Sequence, residues 1–281
     1  MLIDFHTHIF PKAVREHREG FFAGEPAFEL LYASEKSKMV SADQLVAAMD
    51  AHGVDKAVTF GFPWQSMETA RRHNDYILEA VQRHPDRLIG FCCVDAGQPQ
   101  AAAEVARCLE AGLSGVGELA FYCDDFACNL DEMDQIMASA RSFDCPVMIH
   151  TNEPVGHQYP GKTNNTLAQI YAMVKRYGDN RIVLAHWGGG IFWYNLMKKE
   201  VTEILSNVWF DTAASPFLYK PDVYRMASAL AGADKILFGT DYPLLPASRY
   251  LKEMATAGLG DEEQQQICFR NAAALLGLTL D

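Results

Sequence analysis

His6 and His8 stand two apart in "MLIDFHTHIF", directly after a short apolar run. Residues two apart on a strand share one face. If Leu2–Phe5 is a strand, two imidazoles therefore leave its C-terminal end side by side, placed to grip a metal ion. Among nine histidines one such pair proves little. The missing ligands must come from elsewhere, and four residues have the right chemistry. They are Glu118 in "GVGELAF", His150 closing "PVMIH", His186 closing "RIVLAH" and Asp241 in "FGTDYP". Singly, each has a plainer reading: a hydrogen-bonded histidine, an ion-paired glutamate, an aspartate starting a turn.

What joins them is their place in the chain. Each of the six ends, follows or lies within a short apolar run of strand type, and these runs alternate with helical patterns. The runs are "LIDF", "KAVTFGF", "LIGFCCVD", "GVGELAF", "PVMIH", "RIVLAH", "VWFDT" and "ILFGTD". Strands buried on both faces read this way, and strand–helix alternation implies a parallel sheet. Eight units predict a closed (β/α)8 TIM barrel, a single α/β domain over residues 1–281. An open doubly wound sheet would want a glycine-rich turn after its first strand, where "HTHIFP" stands instead. Helices are expected over "SADQLVAAMDAHG", with Ser41 and Gln44 at capping-box spacing, and after Ile191. A C-terminal helix is expected over "DEEQQQICFRNAAALLG". The one irregular insertion follows strand one, from Phe10 to Val40, and its aromatic-rich "REGFFAGEPAFELLY" is placed to cover the barrel mouth. In such barrels chemistry sits at the C-terminal strand ends. His6, His8, Glu118, His150, His186 and Asp241 thus gather at one mouth as residue types that zinc accepts.

The remaining histidines separate by position. His17, His52, His73 and His84 fall in helical or loop segments and are expected at the surface or as caps. His157, in "EPVGHQYPGK", lies in a loop over the mouth and is a candidate substrate contact. Seven cysteines include no Cys-x-x-Cys pair, which favours reduced thiols over a disulfide framework. Cys123 and Cys128 in "CDDFAC" fit no standard zinc spacing.

Composition narrows the function classes. The 281 residues are 49% hydrophobic and 21% charged, with a formal charge of −12. That excess of acid disfavours a nucleic-acid partner, whose phosphates need Lys and Arg. No apolar run reaches membrane-spanning length and the opening residues lack a basic leader region, so neither a membrane partner nor a signal peptide is expected. The expectation is a cytoplasmic protein acting on a small molecule.

With these residues assembled, the chain resembles the amidohydrolase superfamily, in its amidohydrolase-related branch, from "FHTH" to "FGTDYP". The segments "AHWGGGIFWY" and "FGTDYP" look like those of the branch's zinc decarboxylases of the aminocarboxymuconate-semialdehyde type. The resemblance implies that His6, His8, His150 and Asp241 hold a mononuclear ion, with His186 a second-metal ligand or an acid–base histidine. Glu118 is the departure. The decarboxylases generally carry no ligand on strand four, whereas two-metal hydrolases of the superfamily bridge their ions there. Metal-dependent deoxyribonucleases also carry a Glu at that position, but their sequence before the late Asp differs and the charge here suits DNA poorly.

Two reactions follow. A hydrolase of an ester, lactone or amide would use a metal-activated water, with Asp241 taking and returning the proton. A non-oxidative decarboxylase of a small aromatic or unsaturated acid would use one ion, with His186 and Asp241 protonating the carbon that loses carbon dioxide. Glu118 tips the expectation towards the hydrolase. A barrel that binds without turnover is the third and weakest reading. The cofactor expected is Zn2+, one or two ions, with Mn2+ as the substitute. Phe10, Trp64, Tyr122, Trp187, Phe192, Trp193 and Tyr242 follow strand ends and suggest aromatic pocket walls. Lys162 and Arg249 are placed to pair a substrate carboxylate. Homodimers are common for such barrels, though nothing in the sequence requires one.

Overall fold

The computed structural model describes residues 1–122 and 130–279. Eight parallel strands follow one another in sheet order as in sequence. They are β1 (Ile3–His8), β2 (Lys56–Phe60), β3 (Leu88–Cys92), β4 (Gly115–Leu119), β5 (Val147–Ile149), β6 (Ile182–Leu184), β7 (Val208–Asp211) and β8 (Ile236–Leu237). The ring closes between its ends: Phe5 N–H donates to Phe238 O at 2.7 Å and His8 N–H to Tyr242 O at 2.8 Å. This is the expected TIM barrel with helices between strands. Alternate strand residues divide between two layers, as a period of two requires. Ile3, Phe5, Val58, Phe60, Ile89, Phe91, Met148, Val183 and Leu237 fill the interior. Ala57, Leu88, Val147, Ile182, Val208 and Ile236 face the helices.

Two strands break that alternation where the site lies. Between Asp4↔Ala57 and Thr7↔Thr59, β1 advances three residues to two in β2. Between Val116↔Val147 and Leu119↔Ile149, β4 does the same against β5. Each is a bulge, which re-aims a side chain. In β4, Val116 and Leu119 both face the helices, and the extra residue turns Glu118 inward. Gly117 permits it: its φ is +128°, and a Cβ there would stand 2.5 Å from Met148 O.

Several expectations change. The insertion after β1 is ordered, with helices at Lys12–Glu16 and Pro26–Tyr32 around a 3-10 turn at Arg18–Phe21. Its Phe10, Val14, Ala27 and Phe28 pack on Phe62, Trp64 and Ala70, so the wall it builds is a small core of its own. Glu25 fastens it by accepting from the N–H groups of Gln65 at 2.9 Å and Ser66 at 2.7 Å. The capping box at Ser41 forms, and its helix ends at Gly53 in the left-handed region. After β6 the chain enters a 3-10 segment over His186–Leu196 before the helix Lys199–Ile204. Within it His186, Trp187, Gly188, Gly189 and Gly190 all have positive φ. L residues tolerate that conformation poorly, which explains the three consecutive glycines. The C-terminal helix is interrupted by a π-turn at Gln266–Arg270 between Asp261–Gln265 and Asn271–Leu276. No helix of the described residues is long and apolar enough to cross a membrane.

Candidate metal centre

His6 is the hub. Its Nε2 lies 3.3 Å from His8 Nε2, 3.6 Å from Glu118 Oε2 and 3.6 Å from Asp241 Oδ1. His8 Nε2 is 3.2 Å from the same Asp241 oxygen and 4.0 Å from Glu118 Oε2. Most of these separations are too long for hydrogen bonds, yet they suit donors around an ion. Bonds of about 2.0–2.2 Å in tetrahedral geometry put donors about 3.3–3.6 Å apart. Among the described residues two donor groups converge: His6 with His8 and Asp241, and His6 with Glu118 and His186. Both use His6, and only its Nε2 is free to serve, because Nδ1 is 2.8 Å from Asp211 Oδ2. The two donor groups therefore overlap on a single nitrogen.

The outer nitrogens are fixed by backbone carbonyls and a buried carboxylate. His8 Nδ1 faces Gly61 O at 3.2 Å, and His186 Nδ1 faces Ala213 O at 3.1 Å. A carbonyl only accepts, so each ring carries its proton on Nδ1 and turns Nε2 towards the centre. Asp211 performs the same service for His6 while its Oδ1 accepts from the N–H groups of His186 at 2.8 Å and Ala213 at 3.0 Å. Asp211 is fully buried at the end of β7 and is a site residue that sequence reasoning missed. Its only signal was an acid closing an otherwise apolar strand.

His150, expected among the ligands, sits beside the centre. Its Nε2 donates to Gly161 O at 2.8 Å, and its Nδ1 is 2.9 Å from Glu118 Oε1. Both nitrogens face acceptors, so an ion held by His150 would have to displace one of these two contacts. Glu118 therefore splits its work: Oε1 meets His150 and, at 3.4 Å, His186 Nε2, while Oε2 faces His6 and His8.

Three carboxylates make the pocket strongly anionic. Burial opposes charge on His6, but Glu118, Asp211 and Asp241 outweigh it and hold its pKa up to about 10. His186 is likewise held up to about 9 against burial, chiefly by its bond to Glu118. Burial would raise the carboxyl pKa of Glu118, but the surrounding imidazoles, led by His150, bring it well below the usual range. Such a nest of buried anions calls for positive charge, which a divalent ion supplies while displacing protons from the rings. The residues present fit a divalent metal ion.

Substrate contacts fare less evenly. Trp187 is fully buried, donates to Ser215 Oγ at 3.0 Å and packs edge-on to Tyr224. Phe10, Trp64 and Phe192 are also fully buried. These four are packing residues: Phe10 and Trp64 lie against Phe28, Trp187 against Tyr224, and Phe192 against Phe210 of β7. Trp193 is exposed. Tyr242 is half-buried beside His8, and Tyr122 stands with its ring 5.5 Å from that of His150. Burial and the Glu118 charge push the Tyr122 phenol pKa well up, and burial with Asp241 and Glu118 does the same to Tyr32 of the insertion. Tyr32, unremarked in sequence, thus stands within the field of the centre.

Lys162 is half-buried and spent on Glu153 at 2.9 Å and Val155 O at 2.6 Å. Arg249 pairs along its helix with Glu253 at 3.4 Å and is exposed. His157 is exposed, with its ring 6.1 Å from that of Tyr159. His73, expected at the surface, is buried: Nε2 donates to Ile9 O at 2.7 Å and Nδ1 accepts from Trp64 at 2.9 Å. Cys92, Cys93, Cys108 and Cys145 are buried free thiols. Cys123 and Cys128 lie outside the described residues.

Known proteins bear on the reaction. The chain is 23% identical to the gamma-resorcylate decarboxylase of Polaromonas sp., over 84% of this chain and 87% of that one. It is 24% identical to the 2-amino-3-carboxymuconate-6-semialdehyde decarboxylase of Dictyostelium discoideum, over 86% and 81%. In fold it is similar to the 5-carboxyvanillate decarboxylase of Novosphingobium aromaticivorans, solved with manganese and 4-hydroxy-3-methoxy-5-nitrobenzoic acid. There the TM-score is 0.79 at 17% identity, covering 99% of this chain and 96% of that one. Both sequence relatives carry the name of a decarboxylase. The amidohydrolase family profile matches residues 3–278, and the chain belongs to that family.

Proposed function

We propose that this protein is a metal-dependent non-oxidative decarboxylase of a small aromatic or unsaturated carboxylic acid. The observation that carries the reading is the sharing of His6 Nε2 by both donor groups, which supports one ion where a bridged hydrolytic pair would need two. Glu118, the argument for a hydrolase, has one oxygen engaged by His150 and His186 and is poorly free to bridge. The named activities of the sequence relatives point the same way.

His6, His8 and Asp241, with Glu118 Oε2 behind them, would hold zinc or manganese. The ion would supply positive charge to orient and polarise the oxygens of the substrate. His186 carries the proton: with Nδ1 tied to Ala213 O, its Nε2 is the exchanging atom facing the centre. That proton passes to the carbon bearing the carboxylate, the carbon–carboxylate bond breaks, and its electron pair stays with the ring as carbon dioxide leaves. Tyr32, Tyr122 and Tyr242 offer the aromatic surround.

The test is turnover of zinc- or manganese-loaded protein on 2,6-dihydroxybenzoate, 5-carboxyvanillate and related hydroxybenzoates. Carbon dioxide and decarboxylated arene in equal amounts support the reading. Hydrolysis of esters or lactones with no carbon dioxide from any acid returns the assignment to a hydrolase.

A further inference from the structure

Asp4 lies in β1 two residues before His6 and is buried. Its Oδ1 accepts from the N–H groups of His6 at 3.2 Å and Thr240 at 3.0 Å, and its Oδ2 accepts from the Thr240 hydroxyl at 2.6 Å. Thr240 Oγ1 in turn accepts from Tyr242 N–H at 3.1 Å. The backbone is therefore held on both sides of Asp241, at Thr240 and at Tyr242. Asp241 itself has φ +57°, a conformation that persists in a non-glycine residue when its surroundings over-determine it. A buried carboxylate is costly unless its oxygens are met by donors. Here all three donors belong to the two segments that carry the metal donors of the first and last strands.

We propose that Asp4 is a positioning residue for the metal centre. Through Thr240 it fixes the backbone of Asp241, and with it the 3.2 Å approach of that carboxylate to His8. The proposal rests on the reading of His6, His8 and Asp241 as ligands. It adds that metal affinity depends on a carboxylate and a hydroxyl that never meet the ion.

Thr240→Val deletes the hydroxyl at nearly constant volume, Thr240→Ser keeps it, and Asp4→Asn replaces the acceptor at Oδ2 by a donor. Manganese affinity of the metal-stripped full-length chain is measured by electron paramagnetic resonance titration, together with the melting temperature of the metal-free protein. Val174→Ala, a buried change on the outer helix Leu167–Arg176, controls for lost packing. Thr240→Val and Asp4→Asn are expected to weaken manganese binding roughly ten- to a hundredfold, the usual effect of losing an outer partner of a ligand. Thr240→Ser should bind like wild type, and Val174→Ala should melt lower with unchanged affinity. If Asp4→Asn fails to fold, the Thr240 pair decides. Wild-type affinity in Thr240→Val, or affinity falling in step with melting temperature in Val174→Ala as well, overturns the positioning role alone. A wild-type chain that binds neither manganese nor zinc overturns the metal centre and the proposal with it.

Discussion

Asp211 Oδ2 lies 2.8 Å from His6 Nδ1, and the other oxygen of the same carboxylate takes the N–H of His186. One buried acid thus sets the tautomer of one site histidine and the backbone of another. In Asp211→Asn only one oxygen remains. Kept on His186 and Ala213, it leaves an NH2 group facing His6 Nδ1, donor against donor. His6 must then carry its proton on Nε2, the atom that faces His8 and Asp241. Metal affinity should fall roughly ten- to a hundredfold. Calorimetric titration of the stripped protein checks it, and undiminished affinity would remove Asp211 from the site.

Metal content separates one centre from two. Mass spectrometry of protein loaded with zinc or manganese should find one ion per chain, both in the wild type and in Glu118→Gln. Two ions falling to one in the variant would restore Glu118 as a bridge.

His186 divides binding from turnover. If it carries the proton, His186→Asn should retain the ion but lose roughly a hundred- to ten-thousandfold in kcat. Loss of the ion together with activity would make His186 a ligand.

The left-handed segment after His186 predicts a graded pair of substitutions. At Gly190 an added Cβ meets nothing closer than 3.7 Å, so Gly190→Ala should cost only the left-handed conformation, about 1–2 kcal/mol. At Gly189 the same atom would stand 2.3 Å from Asn152 O, a backbone atom that cannot swing aside. Gly189→Ala should cost about 1–3 kcal/mol more through overpacking. Thermal unfolding of the two variants, compared with wild type, tests the order; equal losses would contradict it.

His73 gives a stability signature in acid. Burial pushes its pKa down to about 4, only partly offset by its bond to Ile9 O. The unfolded chain, with an ordinary value of about 6.5, takes up the proton first. Stability is therefore fully present above pH 6.5 and is lost as pH falls towards 4, by about 3 kcal/mol in all. Asp4, raised to about 7 by burial, runs the other way over much of the same window. The difference between wild type and His73→Gln, followed by denaturant unfolding at several pH values, isolates the histidine. That difference should shrink as pH falls; a constant one would show that His73 does not titrate there.

The parts of this molecule legible in sequence were those that repeat or that end a strand. Eight apolar runs and the residues closing them gave the barrel, the His6–His8 pair and Asp241. Asp4 lies inside an apolar strand and Asp211 closes one, yet neither was legible, because neither has a spacing partner and each matters through what it meets more than two hundred residues away. His150 ends its strand as expected, yet the loop that brings Gly161 O onto its ring has no periodic signature. His73 has an ordinary helix position; only the packing of the insertion turns that face inward. Trp187 and Phe10 follow strand ends like pocket residues, but whether a loop folds down onto helices or stands over a mouth is decided by tertiary contacts.

The seam of the barrel lies between its first strand and its last, and the proposed ligands straddle it. Asp4 and Thr240 are 236 positions apart, and β8 is only two residues long. The centre therefore cannot assemble until the segment after β8 has been made, so an ion arriving there would bind as a late step in folding of the barrel. Once bound, it would act as a clasp on a loop of more than two hundred residues, opposing the chain entropy that parts the first and last strands. Stripping the metal should then loosen the first and last strands before the middle of the sheet, and the barrel would come undone at its seam.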